Sequence, residues 1–266
     1  MTILGAIFPP DQPPEQLREV AVAADNAGLE QLWIWEDCFR ESGIATAAAA
    51  LAWTERVTLG IGLLPVPLRN VALTAMELAT LERLFPGRLV AGIGHGVAEW
   101  MQQVGALEAS PMTLLREYAE ALSLLLRGDE VNVSGRYVQL DRVKLDWPPA
   151  APPSLLIGGV REKTVTLAGE VTDGVILTGE TTPELMVPAS AQVAAGRERG
   201  GRDGSADVVC FITVERDVTA EAAAETIARY TAGGATHAIL LGVGDTGREL
   251  AEFVAFVARE VRPLVS

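Results

Sequence analysis

The sequence predicts an α/β protein, a TIM-like (β/α)8 barrel, and three observations lead to that fold class. Short apolar runs rich in β-branched residues alternate with Ala- and Leu-rich stretches of helical period along the 266-residue chain. Most of these runs are continuously apolar, which is typical of strands buried on both faces of a parallel sheet. Eight such runs occur, and right-handed crossovers between eight parallel strands close a barrel.

The eight predicted strands recur at the spacing of strand–helix units. They are Ile3–Phe8, Leu32–Trp35, Val57–Leu64, Leu89–Ile93, Leu155–Gly158, Gly174–Thr178, Val208–Val214 and Ala238–Val243. Helices are predicted where apolar residues share one face and a Gly or Pro ends the pattern. These stretches are Leu17–Ala27, Val71–Phe85, Leu114–Leu126, Ala220–Ala232 and Glu249–Val261. We therefore expect one domain over residues 1–266.

A long segment between predicted strands four and five interrupts the alternation. It contains a helix pair around Ser110-Pro111 and a predicted hairpin with strands at Val131–Val133 and Arg136–Val138. An insertion on this side of a barrel often shapes the active-site mouth. A segment that only buttresses the barrel is the alternative, and both interpretations stay open at this stage.

Composition excludes several functional classes. The 21 Lys and Arg residues face 35 Asp and Glu residues, a net charge of -14, so the basic footprint of a nucleic-acid-binding protein is missing. No apolar run approaches the ~20 residues that span a bilayer, and the first residues lack the basic start of a signal peptide. Two cysteines fit a reducing compartment. We expect a cytoplasmic enzyme with a small-molecule substrate and neither a nucleic-acid nor a membrane partner.

The glycine-rich end of predicted strand four is the densest functional signal. Gly94, His95 and Gly96 follow a second glycine, and glycines let backbone N–H groups approach an anion closely. The spacing matches neither a Walker A loop nor a dinucleotide GxGxxG motif. The segment predicts a phosphate site, with a tight turn as the alternative. His95 lies where a barrel strand ends, so we expect it to contact ligand.

Two carboxylates, Glu36 and Asp37, end predicted strand two. Their place at a strand's carboxyl end suits proton transfer or hydrogen bonds to a cofactor, and the alternative is a helix N-cap beside a solvated neighbour. Arg69 follows strand three and is a candidate for an anionic ligand, with a surface salt bridge as the alternative. The two histidines of the chain show no metal-ligand spacing, so no metal site is predicted.

Taken together, the order of these segments resembles the luciferase-like monooxygenases, also called luciferase-like flavin oxidoreductases, and particularly their coenzyme F420 branch. The segments that carry the resemblance are Ala27-Gly28, Leu32–Asp37, Thr54–Gly60, Pro65–Asn70, Ala79–Leu81, Phe85–Leu89, Gly92–Gly96, Pro152-Pro153, Leu156–Gly159, Leu167–Glu170 and Asp173-Gly174. They cover most of residues 1–180, and beyond 180 only the rhythm of the barrel remains.

The resemblance implies a flavin-type cofactor at the carboxyl-end mouth of the barrel. The backbone around Gly94, His95 and Gly96 would hold its phosphate, and two further pairs, Gly158 with Gly159 and Thr178 with Gly179, would complete that side. The family often has a cis peptide between non-proline residues in a bulge of strand three, and Gly62-Leu63 is the matching place. There Gly62, Leu63 and Leu64 would back the cofactor ring, with Arg69 nearby.

The sequence also departs from the family's pattern. Many F420-dependent relatives carry an acidic residue followed by His after strand two, whereas this chain has Glu36-Asp37, so Asp37 is the candidate replacement for a His-based proton donor. Val97 and Glu180 stand where some relatives have a carboxylate and a Lys. These departures affect the expected substrate more than the expected fold.

The resemblance therefore favours coenzyme F420-dependent hydride transfer to or from a small organic substrate, with Asp37, Glu36 and His95 as candidate catalytic residues. One alternative is an FMN-dependent monooxygenase that inserts one oxygen atom. Others are a non-catalytic flavin-binding barrel and an unrelated phosphate-binding barrel enzyme. Such barrels commonly pair through outer helices, so a homodimer through Val71–Leu84 is a further hypothesis.

Overall fold

The computed structural model describes residues 2–244 and 247–265, and its centre is a closed barrel of eight parallel strands. In chain order the strands are β1 (Ile3–Phe8), β2 (Gln31–Ile34), β3 (Thr58–Pro65), β4 (Leu89–Gly94), β5 (Val131–Ser134), β6 (Gln139–Val143), β7 (Ser154–Gly158), β8 (Gly174–Leu177), β9 (Asp207–Glu215) and β10 (His237–Val243). Strands β5 and β6 form a separate antiparallel hairpin, and the other eight close the barrel. The predicted fold class and the eight predicted barrel strands are confirmed.

Helices surround this barrel. They are α1 (Leu17–Ala27), α2 (Gly43–Trp53), α3 (Val71–Leu84), α4 (Ala98–Gln103), α5 (Pro111–Leu126), α6 (Glu162–Val171), α7 (Pro183–Arg199), α8 (Ala220–Ala232) and α9 (Leu250–Phe256). The helices that the sequence predicted are all present. Among the described residues, no helix combines the length and the apolar character that crossing a bilayer requires.

Two hydrophobic layers hold the barrel together. The larger layer lies between the strands and the surrounding helices, where apolar side chains of both are buried. The smaller layer fills the barrel lumen with Trp33, Leu156, Ile176, Phe211 and their neighbours. Because each barrel strand is buried on both faces, its sequence is continuously apolar, as the prediction assumed.

The segment between β4 and β7 divides into two parts. Helix α4 lies at the carboxyl end of β4, next to the mouth. The hairpin instead packs on α5, where the Glu117 carboxylate accepts hydrogen bonds from the backbone N–H groups of Arg136, Tyr137 and Val138 at 2.8, 2.8 and 3.0 Å. The predicted second strand at Arg136–Val138 is wrong, because these residues form the connection that Glu117 holds and β6 begins at Gln139.

Candidate active site at the barrel mouth

An aromatic stack closes the barrel lumen below the mouth. Trp33 is fully buried, and its ring meets Phe211 edge-on with centroids 5.4 Å apart, while Trp35 stacks on Phe211 with centroids 5.6 Å apart. Two glycines of β3 make room for these rings: a Cβ on Gly60 would overlap the Trp33 indole, and one on Gly62 would lie 2.7 Å from Phe211 Cζ. A ligand at the mouth therefore has a rigid aromatic floor beneath it.

The bulge in β3 lies directly above this floor. The pairing of β3 with β4 shifts register between Ile61 and Leu64, and the Gly62–Leu63 peptide is cis, as the resemblance implied. Leu63 leans across two neighbouring strands: a Cβ on Gly158 would overlap its Cδ2, and a Cβ on Gly94 would lie 2.7 Å from the same atom. We call Leu63, Gly94 and Gly158 the glycine cradle.

Leu64 occupies a different environment from Leu63. It is 1% exposed and belongs to the outer layer between strands and helices, where a Cβ on Gly43 would lie 3.2 Å from its Cδ2. Its side chain therefore lies away from the mouth, and only its backbone can take part in the bulge.

The loop after β4 brings His95 and Gly96 beside the cradle. Gly96 has φ 68°, the left-handed region that favours glycine. The Nε2 atom of His95 lies 3.3 Å from Thr164 Oγ1 at the start of α6. Burial and the nearby charge of Arg161 lower the pKa of His95 below its ordinary value, which favours the neutral ring.

The other predicted phosphate-side residues follow β7 and β8. Gly159 donates its backbone N–H to Ile176 O at 3.0 Å, so this amide already serves the barrel. Thr178 is half-buried and Gly179 exposed, and the Thr178 carbonyl accepts a hydrogen bond from Thr181 N at 2.9 Å. Of these four residues, Gly158 is the one that lies in the cradle.

Glu36 and Arg69 pair with each other. The guanidinium of Arg69 makes two hydrogen bonds to the Glu36 carboxylate, one of them at 2.8 Å, and its Nε lies 3.4 Å from Glu77. Glu36 also accepts the backbone N–H of Gly43 at 2.7 Å. Both charges are largely buried, with side-chain exposures of 8% and 14%. In this arrangement each side chain neutralises the other and ties the loop after β2 to the loop after β3.

Asp37 lines a cavity of about 340 Å3, which we call the mouth cavity. Trp35, Arg40 and Arg216 also line it. Burial raises the pKa of Asp37 above its ordinary value, although the charge of Arg40 opposes this shift. A carboxyl group of this kind holds its proton at higher pH than an exposed one, which suits a proton donor.

Sequence reasoning missed Arg216 and Phe211. Both lie on or just after β9, in the part of the chain where only the rhythm of the barrel was recognised. The position of Arg216 directly after a barrel strand is the signal that would have found it, because the carboxyl ends of all barrel strands meet at one mouth. In the described part of the chain, no group of three or more His, Cys, Asp or Glu side chains is arranged to hold a metal ion.

Two features of the mouth bear on whether it can hold a flat, flavin-type cofactor. A side chain at Gly94 or Gly158 would displace Leu63, so both positions must be glycine for Leu63 to lie across the carboxyl ends of β4 and β7. The buried Nε1–H of Trp35 has no acceptor among the described residues, which leaves a donor at the floor that the protein itself does not use.

The closed parallel barrel, with its candidate site at the carboxyl ends of the strands, places the protein in the α/β-barrel class. The chain belongs to the luciferase-like monooxygenase family, whose model matches residues 4–260. It is 27% identical over 241 residues to the 5,10-methylenetetrahydromethanopterin reductase of Methanolobus tindarius, covering 89% of this chain and 73% of that protein. It is 31% identical over 208 residues to an F420-dependent glucose-6-phosphate dehydrogenase of Nakamurella multipartita, covering 71% and 60%.

A solved structure shows the same fold over the whole chain. The F420-dependent secondary alcohol dehydrogenase, solved with an F420–acetone adduct, superposes with a TM-score of 0.89 at 19% identity and covers 100% of this chain and 99% of that one. The recognised family and fold are therefore confirmed.

Proposed function

We propose that this protein, one barrel domain, catalyses coenzyme F420-dependent hydride transfer to or from a small organic substrate. The observation that carries the proposal is the glycine cradle, in which Leu63 lies across Gly94 and Gly158 at the carboxyl ends of β4 and β7. The sequence relative from Nakamurella multipartita is an F420-dependent dehydrogenase, which supports this choice of cofactor over FMN.

In this proposal the protein binds the cofactor on one side of the mouth and the substrate on the other. The backbone of Gly94, His95 and Gly96 holds the phosphate, with Thr178 and Gly179 near it, and Leu63 backs the ring. Glu36 and Arg69 are positioning residues here, because their pairing leaves neither charge available to a ligand.

Coenzyme F420 would, when bound, supply or accept a hydride, and the part of the chain is to give or take the accompanying proton. Asp37 holds that proton in the mouth cavity and gives it to the substrate oxygen when a carbonyl is reduced to an alcohol. The same carboxylate takes the proton back in the reverse direction. The aromatic floor of Trp33, Trp35 and Phe211 excludes water from below.

The first experiment is a pair of fluorescence titrations of the purified protein, one with coenzyme F420 and one with FMN. Binding of F420 at micromolar concentration with much weaker binding of FMN is the expected result. Preference for FMN would replace the proposal by the monooxygenase alternative, and binding of neither would remove it.

A variant pair tests the cradle itself. Gly158→Ala is expected to weaken F420 binding about tenfold or more, because the new methyl group displaces Leu63 from behind the ring. The double variant Leu63→Ala/Gly158→Ala lacks the overlapping Cδ2 atom, and its two Cβ atoms lie 3.8 Å apart. Its affinity for F420 should therefore equal that of the single variant Leu63→Ala. A further tenfold loss in the double variant would show that Leu63 is not the reason.

Turnover separates an enzyme from a non-catalytic flavin-binding barrel. With substrates identified by a screen, Asp37→Asn is expected to bind F420 normally and to lose most turnover, because it cannot transfer a proton. Asp141→Asn, an exposed position in β6, is the matched control and should turn over like the wild type. Full activity of Asp37→Asn would exclude Asp37 as the proton donor.

We also propose that the protein pairs through α3. This helix exposes three large apolar side chains, Leu73, Met76 and Leu84, at 47%, 57% and 66%. Exposed apolar surface of this kind is typical of a face that another chain covers. Sedimentation at micromolar concentration should detect a dimer that Met76→Glu weakens, and a monomer alone would refute the pairing.

A further inference from the structure

The mouth cavity lies away from the glycine cradle. Its lining comes from β10 and from the segments that follow β1, β2 and β9, whereas the cradle is formed by β3, β4 and β7. In the closed order β1-β10-β9-β8-β7-β4-β3-β2, these two groups occupy different sides of the mouth. A ligand in the mouth cavity can therefore be recognised by side chains that the cofactor site does not use.

One part of the wall is apolar. Pro9 and Pro10 come from the loop after β1, Trp35 from the end of β2, and Leu241 and Leu250 from β10 and α9. The volume of about 340 Å3 is near the low end of the range of about 300–1,000 Å3 for small-molecule sites. The cavity therefore suits a small ligand with an apolar body.

Two arginines place positive charge at this cavity. Arg40 Nη1 donates to Pro10 O at 2.8 Å, and Arg216 Nε donates to Gly244 O at 3.0 Å. These bonds fix both guanidinium groups at the lining, and each group keeps further N–H donors. Within the described ranges, neither guanidinium lies within 4.0 Å of a carboxylate oxygen.

Two acidic side chains also line the cavity, and they do not cancel this charge equally. Asp11 and Arg40 are both exposed at the rim, where water screens their charges, whereas Arg216 is half-buried. Asp37 is half-buried, and burial disfavours its charged form. The two guanidinium groups are the positively charged side chains of the cavity lining. Planar guanidinium groups pair well with carboxylates.

We propose that the substrate is a small organic acid, with its carboxylate against Arg40 and Arg216 and its apolar body against Trp35. This inference rests on the proposed function, since the acid is the compound whose carbonyl or hydroxyl group reacts beside Asp37. It adds the chemical class of the substrate and assigns recognition to two arginines outside the cofactor site.

The test uses a matched pair of probes on the protein without cofactor. Phenylpyruvate and phenylacetone share an aromatic ring and a ketone, and only the first carries a carboxylate. Calorimetric titration is expected to show phenylpyruvate binding about tenfold or more tightly than phenylacetone. Arg40→Gln and Arg216→Gln should each lose most of this preference, and Arg216→Lys should lie between them and the wild type because it keeps the charge. Arg142→Gln, which removes an exposed charge from β6, should keep it in full.

Several outcomes would overturn the inference. They are equal affinity for the two probes, a preference that survives in Arg40→Gln/Arg216→Gln, and no saturable binding of phenylpyruvate up to about 10 mM. Tighter binding of glucose 6-phosphate than of phenylpyruvate would refute the proposal that the substrate is an organic acid with an apolar body, and would indicate a sugar phosphate instead. A parallel F420 titration keeps the two proposals apart: phenylpyruvate binding without F420 binding would remove the proposed function alone.

Discussion

The buried pair of Glu36 and Arg69 allows a quantitative test of how the mouth is built. The substitution Glu36→Gln keeps an acceptor for the Gly43 N–H but leaves the Arg69 guanidinium with Glu77 as its remaining carboxylate neighbour, 3.4 Å from Nε. Removing one partner of a buried ion pair costs about 3–5 kcal/mol. Because Glu77 remains, we expect the lower end, about 3 kcal/mol of unfolding free energy.

That loss corresponds to a melting temperature lowered by about 6–12 °C for a domain of this size. Urea unfolding followed by circular dichroism measures the free energies of wild type, Glu36→Gln, Arg69→Met and the double variant. The cycle should give a coupling of about 2 kcal/mol between the two side chains. Asp141→Asn breaks the exposed pair of Asp141 with Arg142 and should change stability by no more than about 0.5 kcal/mol.

A coupling below about 0.5 kcal/mol would refute this reasoning. The two charges would then be available to a ligand, and the sequence-based interpretation of Arg69 as an anion-binding residue would regain its force. F420 titration of Arg69→Met decides the same point independently: near-normal binding is expected if Arg69 only positions the loops.

Three further predictions follow from burial and packing. Asp37→Asn should raise the unfolding free energy at pH 7, because the folded wild type has to ionise a carboxyl group whose pKa is raised by folding. This gain in stability should vanish below about pH 3.9, where the carboxyl group of the wild type is protonated in both the folded and the unfolded state. Glu117→Gln should lower stability by about 1 kcal/mol at pH 7. Hydrogen bonds from three backbone N–H groups lower the pKa of Glu117 in the folded protein. The stability difference between wild type and Glu117→Gln should therefore persist above the ordinary carboxyl pKa and shrink as the pH falls through the folded-state pKa. A stability difference that does not change with pH would contradict this prediction. Gly60→Ala should cost about 3 kcal/mol or prevent folding, because its methyl group overlaps the Trp33 indole, and Trp33→Leu should recover part of that loss in urea unfolding.

The barrel could be predicted because its main signal is local. A strand buried on both faces must be continuously apolar, and each barrel strand meets that condition within its own few residues. Helix α2 was not predicted, since its sequence is apolar all round and lacks a helical period. The prediction of the second hairpin strand failed for a different reason. The residues Arg136–Val138 resemble a strand locally, but their backbone N–H groups donate to the carboxylate of Glu117, 19 to 21 residues away.

The candidate site was harder to predict because its arrangement depends on contacts between residues that are distant in the sequence. Glu36 and Arg69 are both polar residues at strand ends, and the sequence alone does not reveal that they neutralise each other across 33 positions. Asp37 was singled out, and the structure adds the cavity around it. Arg216 reaches that cavity from the other end of the chain, a juxtaposition that only the closed barrel creates.

The aromatic floor has a consequence for engineering the substrate range. Trp33, Phe211, Gly60 and Gly62 fit one another so tightly that a larger residue at either glycine would force the lumen to repack, and truncating either ring would leave a cavity in it. New space has to come from the rim, where Pro9, Pro10 and Leu250 stand on loops or at a helix end. Libraries aimed at larger substrates should therefore randomise those rim positions and leave the floor unchanged.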